Sequence, residues 1–413
     1  MASLAKAAQD LAALKSTVET LSALLIQLQT TSALESETTE TANTVDALSL
    51  AYDAASLIKA HSTKLSLLII NKPFTATAIT TVLRELVSGP LPGLASAVEL
   101  CTAGKYTKVM RSEIEWRARK VFTELGTLVA AIPLDGKILS DDQKKGTGAV
   151  KGKGSLANTG VVWKACDEVM ALKSLGVVGL VIRKADEYQA LLKDALEELQ
   201  EWDDEESDEE EDDEGDSGDE SKELSAQEVV DNIFGSQQHI PADDPEKIKP
   251  RFETTQKRLR LLILMFQAVV KRRFKTLPQF PLTEPQVLKE KSGENLGIVS
   301  CLDEVLDVLK AIPDITDELA SAFYDLDATE IDRRMNQCFS EGSIAAGLLI
   351  TNWDGQKDEF STWVSPVMPQ LCYLLTKPGS QVPDSYEERM VNAMNIFPCH
   401  LFLWLLTLNL VKS

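Results

Sequence analysis

A chain of 413 residues, 44% apolar and 26% charged, is long enough for two or three domains that each bury a core, and its composition is that of a soluble globular protein. Its formal charge of -22 is local: residues 197–223 hold 18 acids and one lysine, which leaves the rest close to balance. That excludes nucleic-acid binding through a net basic surface and leaves only local basic patches to consider.

From the N-terminus, Leu4, Ala7, Leu11, Leu14, Val18, Leu21, Leu25 and Leu28 follow at alternating steps of three and four, the seam of a coiled coil. The flanking positions, among them Lys15, Ser22 and Gln29, lack the matched charges that select a zipper partner, so the seam predicts a helix inside a bundle. Asp10 and Glu19 come too early for a secretory signal or a transit peptide. A polar break precedes a helix over residues 44–61 and a short apolar run over 65–70. Pro73 is suited to open the next helix, and "SGPLPG" to end it. Helical rhythm continues over residues 94–103 and 106–132. Residues 134–160, rich in Gly and Lys, read as a mobile loop.

Residues 161–199 resume the pattern, with Val181, Ala185, Tyr188, Leu192, Ala195 and Leu199 on one face. These features predict an N-terminal helical bundle over residues 1–200 and a disordered acidic linker over 201–224. A C-terminal helical region follows over 225–350, with helices at 252–274, 296–312, 313–326 and 328–350. Residues 351–413 read as an irregular tail, broken by Pro366, Pro369, Pro378 and Pro383. Its apolar end, residues 396–411, is 16 residues long and holds Pro398 and His400, short of the roughly 20 apolar residues of a membrane span. Period-two alternation bounded by turns is not persuasive anywhere, so the fold class is all-α.

Chemistry is sparse. The three histidines, His61, His239 and His400, have no Cys, Ser or carboxylate beside them in a recognisable motif, and His61 reads as closing a helix. The six cysteines, Cys101, Cys166, Cys301, Cys338, Cys372 and Cys399, form no C-x-x-C pair and read as core residues of a reducing compartment. The Gly/Lys loop fails as a phosphate cradle, because Thr147 stands where the first glycine belongs and Gly154 where Ser or Thr belongs. No catalytic residue, cofactor or metal site is therefore expected. Two other features are candidates. Ser207 and Ser217 precede acids in the context that acid-directed kinases prefer. Lys257, Arg258, Arg260, Lys271, Arg272 and Arg273 surround an apolar stripe and form a candidate basic interaction helix, open to acidic partners, membrane surfaces or nucleic acid, or to the acidic run of the same chain.

The order of these parts carries a resemblance. "VVWKACDEVMAL" at residues 161–172, a long helix, an acidic linker and "CLDEVLDVLKAIPDITDELASAFYDL" at 301–326 resemble the cyclin-D1-binding protein family, also called Grap2 and cyclin-D-interacting proteins. The likeness runs over about residues 50–345 and implies a non-enzymatic protein of up-and-down helical bundles, similar to vinculin, α-catenin and talin. It implies cyclin D-type or adaptor protein partners, negative regulation of cell-cycle progression, and residence in cytoplasm and nucleus. An acidic histone-binding or nucleic-acid-associated factor, acting through the carboxylate run, is the alternative reading.

Overall fold

The computed structural model describes residues 2–30, 45–146, 154–209, 240–241, 243–282 and 297–371. Ser217, His239, His400, Cys372, Cys399 and the apolar stretch 396–411 lie outside them. All the described helices are α-helices except one 3-10 turn at Phe274–Thr276, and no strand occurs among the described residues. The chain forms two compact units, Met1–Leu180 with Gln279–Glu284, and Val181–Pro278 with Pro285–Ser413. The division therefore falls inside a helix, upstream of the acidic run at which two halves were expected to part.

In the first unit, α1 (Ala2–Thr30) turns Leu14, Leu21 and Leu25 fully inward, against α3 (Ala76–Ser88) and α6 (Lys108–Ala130). It has the length and composition of a membrane span, and the three buried leucines of its seam are spent on neighbouring helices. Residues expected to form a helix and a separate apolar run make one helix, α2 (Ala47–Ile70), capped by Asp46, whose side chain accepts from Ser49 N. Tyr106 donates its hydroxyl to Asp46 Oδ1 at 2.7 Å and accepts from Ala47 N, which ties this cap to the start of α6. "SGPLPG" ends α3 and also begins α4 (Pro90–Leu100), because Pro90 occupies a position where its missing N–H costs nothing. Gly93 of α4 faces Ala54 of α2, where a Cβ would stand 3.6 Å from the Ala54 methyl, an ordinary contact.

The expected loop over 134–160 is shorter than predicted. After a four-residue turn α5 (Ala103–Tyr106) and then α6, the chain forms α7 (Asp141–Lys145), opened by a Ser140–Gln143 capping box, and α8 (Ser155–Glu209) begins well before residue 160. The first part of α8 packs antiparallel to α2. Thr159 bonds Ser66, Trp163 bonds Thr63, Asp167 pairs with Lys59 and Lys173 covers Tyr52, and each pair of residue numbers adds to 225 or 226. A constant sum means equal rise in opposite directions. Glu168 then binds α6, accepting from Lys120 at 2.7 Å. Helical dihedrals break once, at Gly176 (φ 62, ψ -179), a conformation essentially reserved for glycine.

The second unit is an up-down-up-down bundle of the latter part of α8, α9 (Ile248–Arg272), α10 (Ile298–Tyr324) and α11 (Ala328–Leu348). Its directions can be read from side-chain pairs. Gln189 bonds the Ile263 carbonyl while Trp202 meets Phe252, so α8 and α9 are antiparallel. Arg251 pairs with Asp332 and Arg258 lies over Phe339, both 81 residues apart, so α9 and α11 are parallel. Thr316 touches Cys338 and Glu318 pairs with Arg334, so α10 and α11 are antiparallel.

Three expectations are corrected here. Helix α8 continues past residue 200 because Leu199 and Trp202 are buried, the Trp202 ring edge-on to Phe252 at 5.6 Å and Tyr324 at 5.7 Å. The two helices expected over 296–312 and 313–326 are one, Ile298–Tyr324, with Pro313 inside it, since burial of Ile312, Pro313, Ile315 and Thr316 outweighs the roughly 3 kcal/mol that an interior proline costs. Residues 351–371 are ordered structure, not irregular tail: α12 (Glu359–Leu371) packs on α9 and α11 and buries Phe360 and Val364.

Candidate functional site

The six basic candidates on and after α9 separate into two groups. Lys257, Arg260, Lys271 and Arg272 are exposed, whereas Arg258 and Arg273 are buried. Arg258 is spent inside the bundle, its guanidinium carbon 5.4 Å from the centre of the Phe339 ring. Arg272 pairs with Glu359 at 2.6 Å.

Arg273 has no exposed surface, and its five N–H groups all find acceptors. Nε donates to the Leu349 carbonyl at 2.7 Å, Nη1 to the Arg272 carbonyl and to Asp358 Oδ2 at 2.6 Å, and Nη2 to the Ile350 carbonyl and to Asp358 Oδ1 at 2.9 Å. The Phe360 ring covers the guanidinium at 4.5 Å, and Trp353 donates to the Arg273 carbonyl. Asp358 also caps α12 reciprocally with Ser361: Ser361 N donates to Asp358 Oδ1, and Asp358 N to Ser361 Oγ. The bonds from Arg273 hold the Asp358 carboxyl well below the usual carboxylate range. Sequence reasoning placed Arg273 on an interaction face because its partner lies 85 residues away, in a stretch read as irregular. The one local hint was Asp358 followed three residues later by Ser361, a spacing that suits a helix cap. An open cleft of about 250 Å³ lies at this corner, beside Arg272, Asn352, Trp353 and Asp354.

The remaining candidates are placed as follows. Ser207 lies in the helical backbone of α8, six residues inside the expected linker. His61 does not close a helix. It stands within α2 with Nδ1 3.3 Å from Glu85 of α3, and burial lowers its pKa while Glu85 opposes that shift. The Cys101, Cys166 and Cys338 thiols are buried, and burial pushes each up to about 12, far from a nucleophile at neutral pH. Among the described residues no group of three or more His, Cys, Asp or Glu is placed to hold a metal ion.

Sequence reasoning missed the exposed aromatic residues of the first unit. Trp116 on α6 is 58% exposed and Trp163 on α8 39%, with Tyr52 and Leu57 on α2 also at the surface. Each aromatic ring has a polar neighbour that fixes it: Lys120 over Trp116, Lys173 over Tyr52, and the Thr63 hydroxyl accepting from Trp163 Nε1. Rings held this way present apolar area with little rotamer freedom left to lose. In the second unit a different surface gathers carboxylates. Burial raises the Tyr188 hydroxyl pKa, and Glu187, Asp307 and Asp314 add to it. Burial also raises the Asp317 carboxyl, with Asp314 and Glu198 adding like charge.

Residues 52–205 match the family described as Grap2 and cyclin-D-interacting, N-terminal. An uncharacterized protein of Schizosaccharomyces pombe is 23% identical over 319 residues, covering 77% of this chain and 82% of the relative. The matched region contains Tyr52, Trp116 and Trp163.

Proposed function

We propose that this chain, a member of the Grap2 and cyclin-D-interacting family through residues 52–205, is a non-enzymatic regulatory scaffold. In this reading it binds protein partners of cyclin D or adaptor type through helical surfaces, acts as a negative regulator of cell-cycle progression, and works in cytoplasm and nucleus. The observation that carries it is Trp116, 58% exposed on α6 inside the family-matched stretch, with Trp163 also at the surface. Tryptophan is enriched at protein interfaces and supplies much of their binding energy. The non-enzymatic part is supported by the high thiol pKa values and by His61, which is engaged in packing α2 against α3.

The test is calorimetric titration of the full chain with a purified D-type cyclin. Trp116→Ala is expected to weaken binding by about tenfold or more, the size of an interface anchor. A wild-type chain that does not bind the cyclin, or a variant that binds as tightly as wild type, overturns the reading.

A further inference from the structure

Helix α9 stands apart in charge: between Ile248 and Arg272 it carries seven cations and a single acid, Glu253. Three of the seven are taken up inside the second unit, Arg251 by Asp332, Arg258 by Phe339 and Arg272 by Glu359. Four remain at the surface, and three of them, Lys257, Arg260 and Lys271, fall in a row, with Lys249 in the first turn beyond it. Lys257, Arg260, Leu264, Gln267 and Lys271 follow at steps of three and four, which puts them on one helix face, and all five are exposed. The carboxylate beside Lys257 is Glu253 at 3.8 Å, itself largely in solvent. The row is about 21 Å long at 1.5 Å per residue. A face of one sign with an exposed leucine, Leu264 at 49%, repels itself until an anionic, partly extended counterpart covers it.

The structure also fixes where one such counterpart begins. Trp202, edge-on to Phe252, holds the end of α8 beside the N-terminal part of α9, and α8 continues to Glu209. The described chain resumes at Ile240, eight residues before α9. Residues 203–223 hold 15 acids and one lysine. At about 3.3 Å per residue, even half of the intervening segment reaches the length of the row.

We propose that the exposed face of α9 formed by Lys257, Arg260, Leu264 and Lys271 is a docking surface for the chain's own acidic segment, residues 203–223. An acidic protein segment from elsewhere then reaches this face only in competition with that tethered one. Contacts of this kind weaken with salt, because the screening length falls from roughly 8 Å at physiological ionic strength to about 3 Å at 1 M.

Carbodiimide, which joins a carboxylate to an amine without a spacer, tests this on the full chain prepared as a mixture of 14N and 15N copies. The expected products join residues 203–223 to Lys257 or Lys271 within one isotope, about tenfold above joins to exposed Lys64 or Lys164, and fade at about 0.5 M salt. Joins spread evenly over surface lysines overturn the proposal, and mixed-isotope joins overturn it in favour of a second copy. A second measurement removes the cations: in Lys257→Glu/Arg260→Glu/Lys271→Glu, whose sites are all exposed, a glutamate-specific protease is expected to cut residues 203–223 several-fold faster than in wild type. Equal cutting rates overturn the proposal.

Discussion

Replacing Asp358 separates two roles that one carboxylate performs. Asp358→Asn keeps an oxygen to cap α12 and removes the charge that faces Arg273; Asp358→Ala removes both. Taking one partner from a buried ion pair costs about 3–5 kcal/mol, since the other charge is left without compensation. Arg273 is fully buried, but the Asp358 side chain is 34% exposed and the guanidinium keeps three backbone carbonyls. We therefore expect about 2 kcal/mol for Asp358→Asn and about 1 kcal/mol more for Asp358→Ala through the lost cap. Native-state hydrogen exchange on peptides covering residues 349–371 reads this corner directly, and 2 kcal/mol corresponds to exchange roughly 30-fold faster. The folded carboxyl titrates below its ordinary value of 3.8, so its contribution is complete above that value and drains away as pH falls through the folded one. Protection in wild type should decline on acidification below about pH 4, and Asp358→Asn should lack that decline. An exchange rate within about threefold of wild type refutes the reasoning. So does an equal effect of Asp358→Asn in an Arg273→Met background, where no buried charge remains to be stranded.

Gly176→Ala places a side chain at φ 62 and ψ -179, so urea unfolding should show a loss of about 1–3 kcal/mol. Trp202→Ala empties a buried site between Phe252 and Tyr324 and should cost about 3–5 kcal/mol by the same measurement. For that reason a deletion meant to test the acidic run by partner capture should begin at residue 210. Starting at 201 removes Trp202, and a loss of binding then reports unfolding. Cys101, Cys166 and Cys338, with thiols pushed up to about 12, should resist alkylation at neutral pH until the protein is unfolded, as mass spectrometry of native and denatured samples will show.

Local periodicity was enough for the long helices with an apolar stripe, but not for α7 or α12. The α1 seam appears as buried Leu14, Leu21 and Leu25, and the α8 face as buried Val181, Ala185, Leu192 and Leu199. Punctuation was less dependable, because proline has two meanings. Pro90 opens a helix as its chemistry suggests, while Pro313 sits inside one, and the difference is set by neighbours distant in sequence. The basic candidates show the same limit. The sequence grouped all six cations as one interaction helix, and only the fold separates exposed Lys257, Arg260 and Lys271 from Arg258, spent on Phe339, and Arg273, spent on Asp358. Composition likewise marked the acidic run as a separate linker, and a single apolar residue at its edge, Trp202, draws its first turns into α8.

The family-matched stretch and the folded units have different ends. Residues 52–205 start five residues inside α2, beyond the Asp46 cap and without α1, so an excised fragment would leave bare the groove that Leu14, Leu21 and Leu25 fill. At its other end the fragment retains Trp202 without Phe252 of α9 and Tyr324 of α10, against which its ring packs. The family-matched stretch excised alone would thus carry two bare apolar faces, and a stable form of the first unit must include α1.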